Sequence, residues 1–120
     1  IWGDRFEGNF YASTSGGDIK LFCNNAKLEA STSGGDITVE YTGVNQGIDL
    51  STSGGDIDVK VPADFNARVD LSTSGGDVDC NLTLNDVKRL SETEIIGNIN
   101  KGGKPLSAST SGGDVTVYKK

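Results

Sequence analysis

The chain has 120 residues, the size of a single domain, so we predict one domain over residues 1–120. Its 17 acidic and 11 basic residues give a formal net charge of −6, which argues against nucleic acid or an anionic membrane as a partner. No apolar run approaches the roughly 18 residues of a membrane span, so we expect no direct membrane insertion. No histidine is present, so the usual general base and the commonest metal ligand are both missing.

The first ten residues come before any repeat, and we predict that residues 1–10 form an incomplete first turn or a cap. An unpaired strand edge invites pairing with another chain, and lysines are a common protection against it. The C-terminal end has Lys119 and Lys120, whereas the N-terminal end has apolar Trp2 and Phe6. We therefore expect any self-association to use the N-terminal end.

One phrase, Ser-Thr-Ser-Gly-Gly-Asp followed by Ile or Val, recurs through the rest of the chain. Its five unchanged copies are Ser13–Asp18, Ser31–Asp36, Ser51–Asp56, Ser72–Asp77 and Ser109–Asp114. The starts lie 18, 20, 21 and 37 residues apart, so the last gap is nearly twice the others. We expect a degenerate copy at Ile96–Ile99, with Gly97 as its second glycine and Asn98 in the place of the aspartate. Residues 11–118 then hold about six units of 16–21 residues.

Apolar residues alternate with polar ones on both sides of each phrase, which is the period of a strand. The glycine pair is typical of a tight corner that needs positive φ. A unit of this length cannot bury its apolar face alone, so the units are expected to stack. The sequence therefore predicts an all-β, single-stranded parallel β-helix (β-solenoid), with the right-handed winding that parallel crossovers prefer. Ser91–Ile95 is the least regular segment, and we expect it to bulge out.

The repeated phrase and the closing run Gly97–Leu106, which contains an Asn-x-Gly-Gly stretch, resemble a known family. This is the bacterial putative-adhesin family of β-strand-repeat (Ser-Gly-Gly-Asp repeat) β-helix proteins. The resemblance covers Tyr11 to Tyr118. It implies a β-helix in an extracytoplasmic protein of the periplasm, cell surface or secreted fraction, and it provides no catalytic residues.

Stacking places the phrase aspartates in one ladder: Asp18, Asp36, Asp56, Asp77 and Asp114. Carboxylates in a row suit calcium. The alternative is that each carboxylate accepts hydrogen bonds from backbone N–H groups of its own corner or from neighbouring hydroxyls. A hydrogen bond to a charged group contributes roughly 1.5–3 kcal/mol, which exceeds the repulsion of about 1 kcal/mol between solvated carboxylates. We therefore expect no metal and no cofactor.

Further carboxylates stand at outward positions of the predicted strands: Glu29, Asp49, Asp70, Asp58 and Asp79. They predict an acidic surface over the second to fourth units. The surface is either a solvated face that prevents aggregation or a binding face for a protein or glycan ligand.

The two cysteines are too few for a disulfide scaffold. Three units separate Cys23 from Cys80, about 14 Å at the spacing of neighbouring strands. Because a disulfide needs Cα atoms within about 7 Å, we predict two free thiols, with Cys80 buried in the core.

No unit departs from the repeat to install a distinct catalytic acid and base, so we expect no enzyme activity. The sequence favours a non-catalytic adhesin-like or structural surface module of a bacterial envelope or secreted protein. The alternative is a carbohydrate-active enzyme or lectin-like binder that uses the acidic face.

Overall fold

The computed structural model describes residues 2–43, 46–62, 65–81, 84–91 and 93–119. In these ranges the regular secondary structure consists entirely of strands. The strands are β1 (Trp2–Thr14), β2 (Ile19–Thr32), β3 (Ile37–Thr42), β4 (Ile48–Thr52), β5 (Ile57–Val61), β6 (Ala67–Thr73), β7 (Val78–Cys80), β8 (Leu84–Leu90), β9 (Glu94–Ile99), β10 (Pro105–Thr110) and β11 (Val115–Lys119). No helix in the described part of the chain is long and apolar enough to cross a membrane.

The strands form two columns that meet at the repeated corner. We call the strands that lead into a corner the first column, and the strands that leave it the second column. The first column runs from the C-terminal half of β2 through β4, β10, β6, β9 and β8. The second column runs from the N-terminal half of β2 through β3, β5, β11 and β7. β1 pairs in parallel with β2 along both halves, with bulges between Gly3 and Gly8.

Parallel pairing in register links all five phrases, as the identical repeats predict. Ser31, for example, is opposite Ser13 on one side and Ser51 on the other. The fold is therefore all-β and solenoid-like, as expected. The right-handed winding stays a prediction.

The order of the units in space differs from their order in the sequence. β10 lies between β4 and β6, and β11 lies between β5 and β7. The last unit is therefore inserted between the third and fourth units, whereas simple stacking predicts that it ends the column.

The prediction of a sixth parallel unit around Gly97 and Asn98 is wrong. β9 pairs antiparallel with β6, with Gly97 opposite Val69 and Asn98 opposite Arg68. β8 then pairs antiparallel with β9. The degenerate copy is thus one strand of a hairpin that covers the outer edge of β6.

The segment Ser91–Ile95 is predicted to bulge out, and Glu92 within it lies outside the described residues. Its last two residues do not bulge, because Glu94 and Ile95 belong to β9 and Ile95 is buried opposite Leu71. Ser91 N donates to the Glu94 carbonyl over 2.9 Å, and the Ser91 hydroxyl accepts from Glu94 N over 3.1 Å.

The core forms where the inward residues of both columns meet. Strands such as β4 and β5 alternate between buried and outward residues, which is why period-2 patterning specifies them. Leu50, Val59 and Leu71 have no exposed surface. Tyr41, near the end of β3, and Phe65, in the connection between β5 and β6, pack edge to face with ring centroids 5.3 Å apart. The core is thus a continuous apolar column.

The two cysteines lie in the second column and are not joined by a disulfide. Cys23 is buried, but Cys80 is only partly buried, so the prediction of a fully buried Cys80 is wrong. β7 pairs only with β11 among the described strands, so Cys80 stands at the end of the column. Four strand spacings separate the two residues, one more than predicted, because β11 is inserted between β5 and β7.

Candidate functional site

The repeated corner is held by a threonine that bonds in two directions. The Thr52 hydroxyl donates to the carbonyl of Gly35 in the preceding unit over 2.9 Å. The same oxygen accepts from the N–H of Gly55 in its own corner, at 3.3 Å. The same double arrangement occurs at Thr32, Thr73 and Thr110. Each buried hydroxyl therefore fixes its own corner and joins it to its neighbour.

The phrase aspartates form a continuous ladder along the corners, which we call the Asp ladder. Asp36 N donates to Asp18 Oδ1 over 2.9 Å, and Asp56 N donates to Asp36 Oδ1 over 2.8 Å. The ladder continues in spatial order, from Asp56 to Asp114 at 2.8 Å and from Asp114 to Asp77 at 2.9 Å. Four of the five carboxylates thus accept a backbone N–H group from the next unit.

This geometry bears on the calcium alternative. One oxygen of each of these four carboxylates is already used by the neighbouring backbone. Among the described residues there is no group of three or more side chains arranged to hold a metal ion. The side chains of the Asp ladder therefore serve the fold directly, and metal independence is a prediction for experiment.

The second glycine of each phrase is required by close approach. A Cβ built on Gly55 would lie under 3.0 Å from the Gly35 carbonyl oxygen and 2.7 Å from Asp36 Oδ1. A Cβ on Gly35, Gly76 or Gly113 would meet the backbone of the spatially neighbouring corner in the same way. The prediction that the corner glycines have positive φ is wrong. In the described chain the glycines with positive φ all lie between units: Gly43, Gly47, Gly102 and Gly103.

The predicted acidic surface is divided between the two columns. Glu29, Asp49 and Asp70 are exposed on the first column, whereas Asp58 and Asp79 lie on the second. Glu29 and Asp49 are direct neighbours.

The inserted unit interrupts both acidic rows. Ser107 lies between Asp49 and Asp70. Thr116 lies between Asp58 and Asp79. The structure thus brings Glu29 and Asp49 together but separates the other carboxylates of each row. The sequence does not predict this separation, because stacking in chain order places the third and fourth units side by side.

Asp58 is half-buried on the second column, and its carboxyl lies close to other charged groups. Burial raises the pKa of Asp58, and the nearby charges of Asp56 and Asp36 raise it further. The Tyr118 hydroxyl, which donates to Asp58 Oδ1 over 3.4 Å, and the charge of Lys60 act in the opposite direction.

A family model described as Toastrack DUF4097 matches residues 10–118, almost the whole chain. The chain belongs to the Toastrack DUF4097 family. This Toastrack chain also resembles the crystal structure of a protein described as a putative cell adhesion protein, from Clostridium sporogenes. The TM-score is 0.58 at 9% identity, over 99% of this chain and 92% of that one, so the likeness shows a shared fold. No curated protein matches the chain.

The Toastrack chain also presents a regular row of outward serines on the first column. Ser13, Ser31, Ser51, Ser109 and Ser72 are aligned on successive strands of the first column, at outward positions. The hydroxyls of Ser31 and Ser13 are 3.5 Å apart. The alternating pattern and the identical phrases were the signal that predicts this row. We call it the serine row.

An aromatic residue stands at the N-terminal end of the same face. Tyr11 is 65% exposed, the larger value of the two exposed large hydrophobic residues in the described chain. With Phe10, Lys27 and Glu29 it lines a shallow pocket of about 250 Å³. The first column of the Toastrack chain thus carries hydroxyls, two neighbouring carboxylates and an aromatic ring on one side.

Proposed function

We propose that this Toastrack domain is a non-catalytic, adhesin-like or structural surface module of a bacterial envelope or secreted protein. The observation that carries the proposal is the outward side of the first column. There the serine row, Glu29, Asp49 and Tyr11 present a repetitive polar surface on a fixed backbone. A structural neighbour with the same fold is described as a putative cell adhesion protein, which supports the same proposal.

The repeated surface suits a ligand that is itself repetitive, such as a glycan or an extended protein segment. Neighbouring serines are one strand spacing apart, about 4.8 Å. Because each hydroxyl both donates and accepts hydrogen bonds, the row offers equivalent contacts at that spacing. Several weak contacts on one ligand add up to useful avidity.

The experiment is a binding screen against acidic and neutral glycans and against extracellular matrix proteins, scored for binding and for cleavage. Ser51→Lys with Ser109→Lys changes the centre of the serine row and is expected to weaken binding at least tenfold. Thr38→Lys is the matched control, because Thr38 is an outward, half-buried hydroxyl residue of the second column. Equal loss in both variants, or binding unaffected by the double variant, would contradict the proposed face.

A carbohydrate-active enzyme or lectin-like binder is the second candidate. The raised pKa of Asp58 favours it, since a general acid needs a carboxyl that holds its proton. The two residues Asp58 and Asp79 are two strands apart, about 9.6 Å, near the upper limit for an inverting glycosidase. Sugar release that is abolished by Asp58→Asn or Asp79→Asn would establish this function in place of the first.

The extracytoplasmic location is proposed on the resemblance of the repeated phrase to the putative-adhesin family and on the description of the structural neighbour as a putative cell adhesion protein. It covers the periplasm, the cell surface and the secreted fraction. Fractionation of cells that carry the native gene, with protease added outside, tests it. Full protection of the protein in the cytoplasmic fraction would exclude this location.

Self-association through the N-terminal end remains part of the proposal. The segment Phe10–Thr14 of β1 has no charged residue and no proline, so its backbone edge is not protected in the usual ways. The side chains of Trp2 and Phe6 lie outside the described part. Light scattering over a concentration series is expected to show weaker association when both are replaced by Ser. A dimer that persists unchanged would place the contact elsewhere.

A further inference from the structure

The last unit of the chain, Pro105–Lys119, occupies the middle of both columns. β10 bonds to β4 on one side and β6 on the other, and β11 does the same with β5 and β7. Within the described strands, β4 and β6 are not paired with each other, nor are β5 and β7. The last unit therefore fills a slot between the third and fourth units.

The walls of the slot are chemically complementary to the last unit. On one wall, the Gly55 carbonyl accepts from the Thr110 hydroxyl over 2.8 Å, and Asp56 Oδ1 accepts from Asp114 N over 2.8 Å. On the other wall, the Thr73 hydroxyl donates to the Gly113 carbonyl over 2.7 Å. One wall supplies acceptors and the other supplies donors, so the slot recognises a corner of the same type and orientation.

The last unit also completes the core. Leu106, Val115 and Val117 have no exposed surface, and Ala108 is 2% exposed. The bonded residues are far apart in sequence: Thr110 lies 55 positions after its partner Gly55. Contacts between such distant residues carry a loop-closure entropy cost and are expected to form slowly.

The connection that delivers the last unit is a tight reversal over the start of β6. Asn100 has a φ of 55°, Gly102 of 74° and Gly103 of 145°. Asn100 Nδ2 donates to the Phe65 carbonyl over 2.7 Å, and Arg68 N donates to the Lys104 carbonyl over 3.2 Å. If residues 100–104 became extended rather than reversing the chain, these five residues would span about 17 Å, which is enough to carry the last unit away from its own slot.

We infer that the slot is a binding site for a second copy of this chain. Two molecules exchange their last units reciprocally, and each Pro105–Lys119 segment fills the slot of the other molecule. All the contacts of the slot are kept in the exchanged dimer, and only residues 100–104 change conformation. This interface goes beyond the proposed surface function and does not depend on any ligand.

Protein concentration and the conformation of residues 100–104, which we call the hinge, determine whether the monomer or the exchanged dimer is populated. A short flexible connection holds the last unit at an effective concentration in the millimolar range, so dilute protein stays monomeric. A change that prevents the tight reversal removes this advantage and favours exchange. A crowded cell surface, where copies are held close together, favours it in the same way.

The first test compares two valine substitutions. Gly103→Val places a β-branched residue at φ 145°, which it does not adopt, so the hinge opens and the dimer fraction is expected to rise at least tenfold. Gly47→Val is the matched control, because Gly47 has a φ of 110° but lies in the connection between β3 and β4. Size-exclusion chromatography with light scattering measures the fractions, and equal fractions in the two variants would overturn the inference.

The second test identifies the interface. Ser51→Cys and Ser109→Cys are made in separate chains with Cys80→Ser, because Ser51 and Ser109 are opposite each other in the serine row. The two chains are unfolded, mixed and refolded together at about millimolar concentration. An exchanged dimer gives a disulfide between the two different chains, whereas dilute refolding gives none.

The cross-linking test uses the natural hinge, so it remains informative if Gly103→Val fails to fold. A cross-linked heterodimer at high concentration supports the exchange. A concentrated sample that stays monomeric, or a dimer without this cross-link, would overturn it.

Discussion

Gly55→Ala tests whether the repeated phrase contains glycine because neighbouring units approach closely. The added Cβ would lie under 3.0 Å from the Gly35 carbonyl oxygen, a separation that real Cβ atoms essentially never show. The two nearest groups are the Gly35 backbone and the Asp36 carboxylate. If the first moves away, the bond from Thr52 to Gly35 breaks, and if the second moves away, the bond from Asp56 to Asp36 breaks. The units must therefore separate at this corner.

The expected loss follows from the bonds that separation weakens. Overpacking in a close-packed site costs about 1–3 kcal/mol. The bonds from Thr52 to Gly35 and from Asp56 to Asp36 contribute about 1 kcal/mol and about 1.5–3 kcal/mol respectively. We expect Gly55→Ala to lower the free energy of unfolding by about 3–5 kcal/mol, a large part of the 5–15 kcal/mol typical of a domain.

Gly17→Ala is the matched control in the same phrase. Gly17 belongs to the first unit, and its added Cβ would meet only Thr14 Oγ1, at an ordinary 3.5 Å. Its φ is not in the positive range, so alanine is compatible with the backbone. The change is expected to be within about 0.5 kcal/mol of zero, or slightly stabilising through the unfolded chain.

Urea unfolding followed by circular dichroism measures both variants under the same conditions. A loss in Gly55→Ala that is at least 2 kcal/mol greater than in Gly17→Ala, roughly, supports the close-approach explanation. Equal losses in the two variants would refute it, because they would show that glycine is needed for the conformation of the corner itself.

Three further outcomes are expected. Chelator or millimolar calcium shifts the melting temperature by at most a few degrees, because the Asp ladder is satisfied by backbone N–H groups; a large calcium-dependent rise would make its carboxylates ligands. Asp58→Asn raises stability at pH 7 relative to the unmodified protein, since a carboxyl whose folded pKa is raised loses stability as the pH rises above its unfolded value of 3.8. This gain should vanish near pH 3, and a gain that is independent of pH would exclude the ionisation as its cause. A maleimide reagent should label Cys80 before Cys23 in the native protein, because Cys23 is buried and burial raises its thiol pKa to about 11. All of the thiol should react after denaturation, and a missing thiol would indicate a disulfide.

The sequence by itself determined the strands on either side of the five phrases, most of their inward residues and the register between those phrases. Identical phrases stack on one another because Thr, Gly and Asp bond to the same groups in every neighbouring corner. The period-2 pattern then places Leu50 and Ile57 in the core and Ser51 outside. The Asp ladder and the serine row were accessible in the same way, since both follow directly from repetition.

Only the tertiary structure decided which unit lies beside which. Every corner offers the same donors and acceptors, so the register of a pair of strands does not determine which unit lies next to which. The last unit could therefore bond to any unpaired edge of the column. The direction of β9 was also undetermined, because alternation places Ile95, Gly97 and Ile99 inward in either direction. In the structure β9 occupies the outer edge of β6, and the last unit bonds between the third and fourth units. That insertion is the physical reason why Ser107 and Thr116 divide the predicted acidic surface.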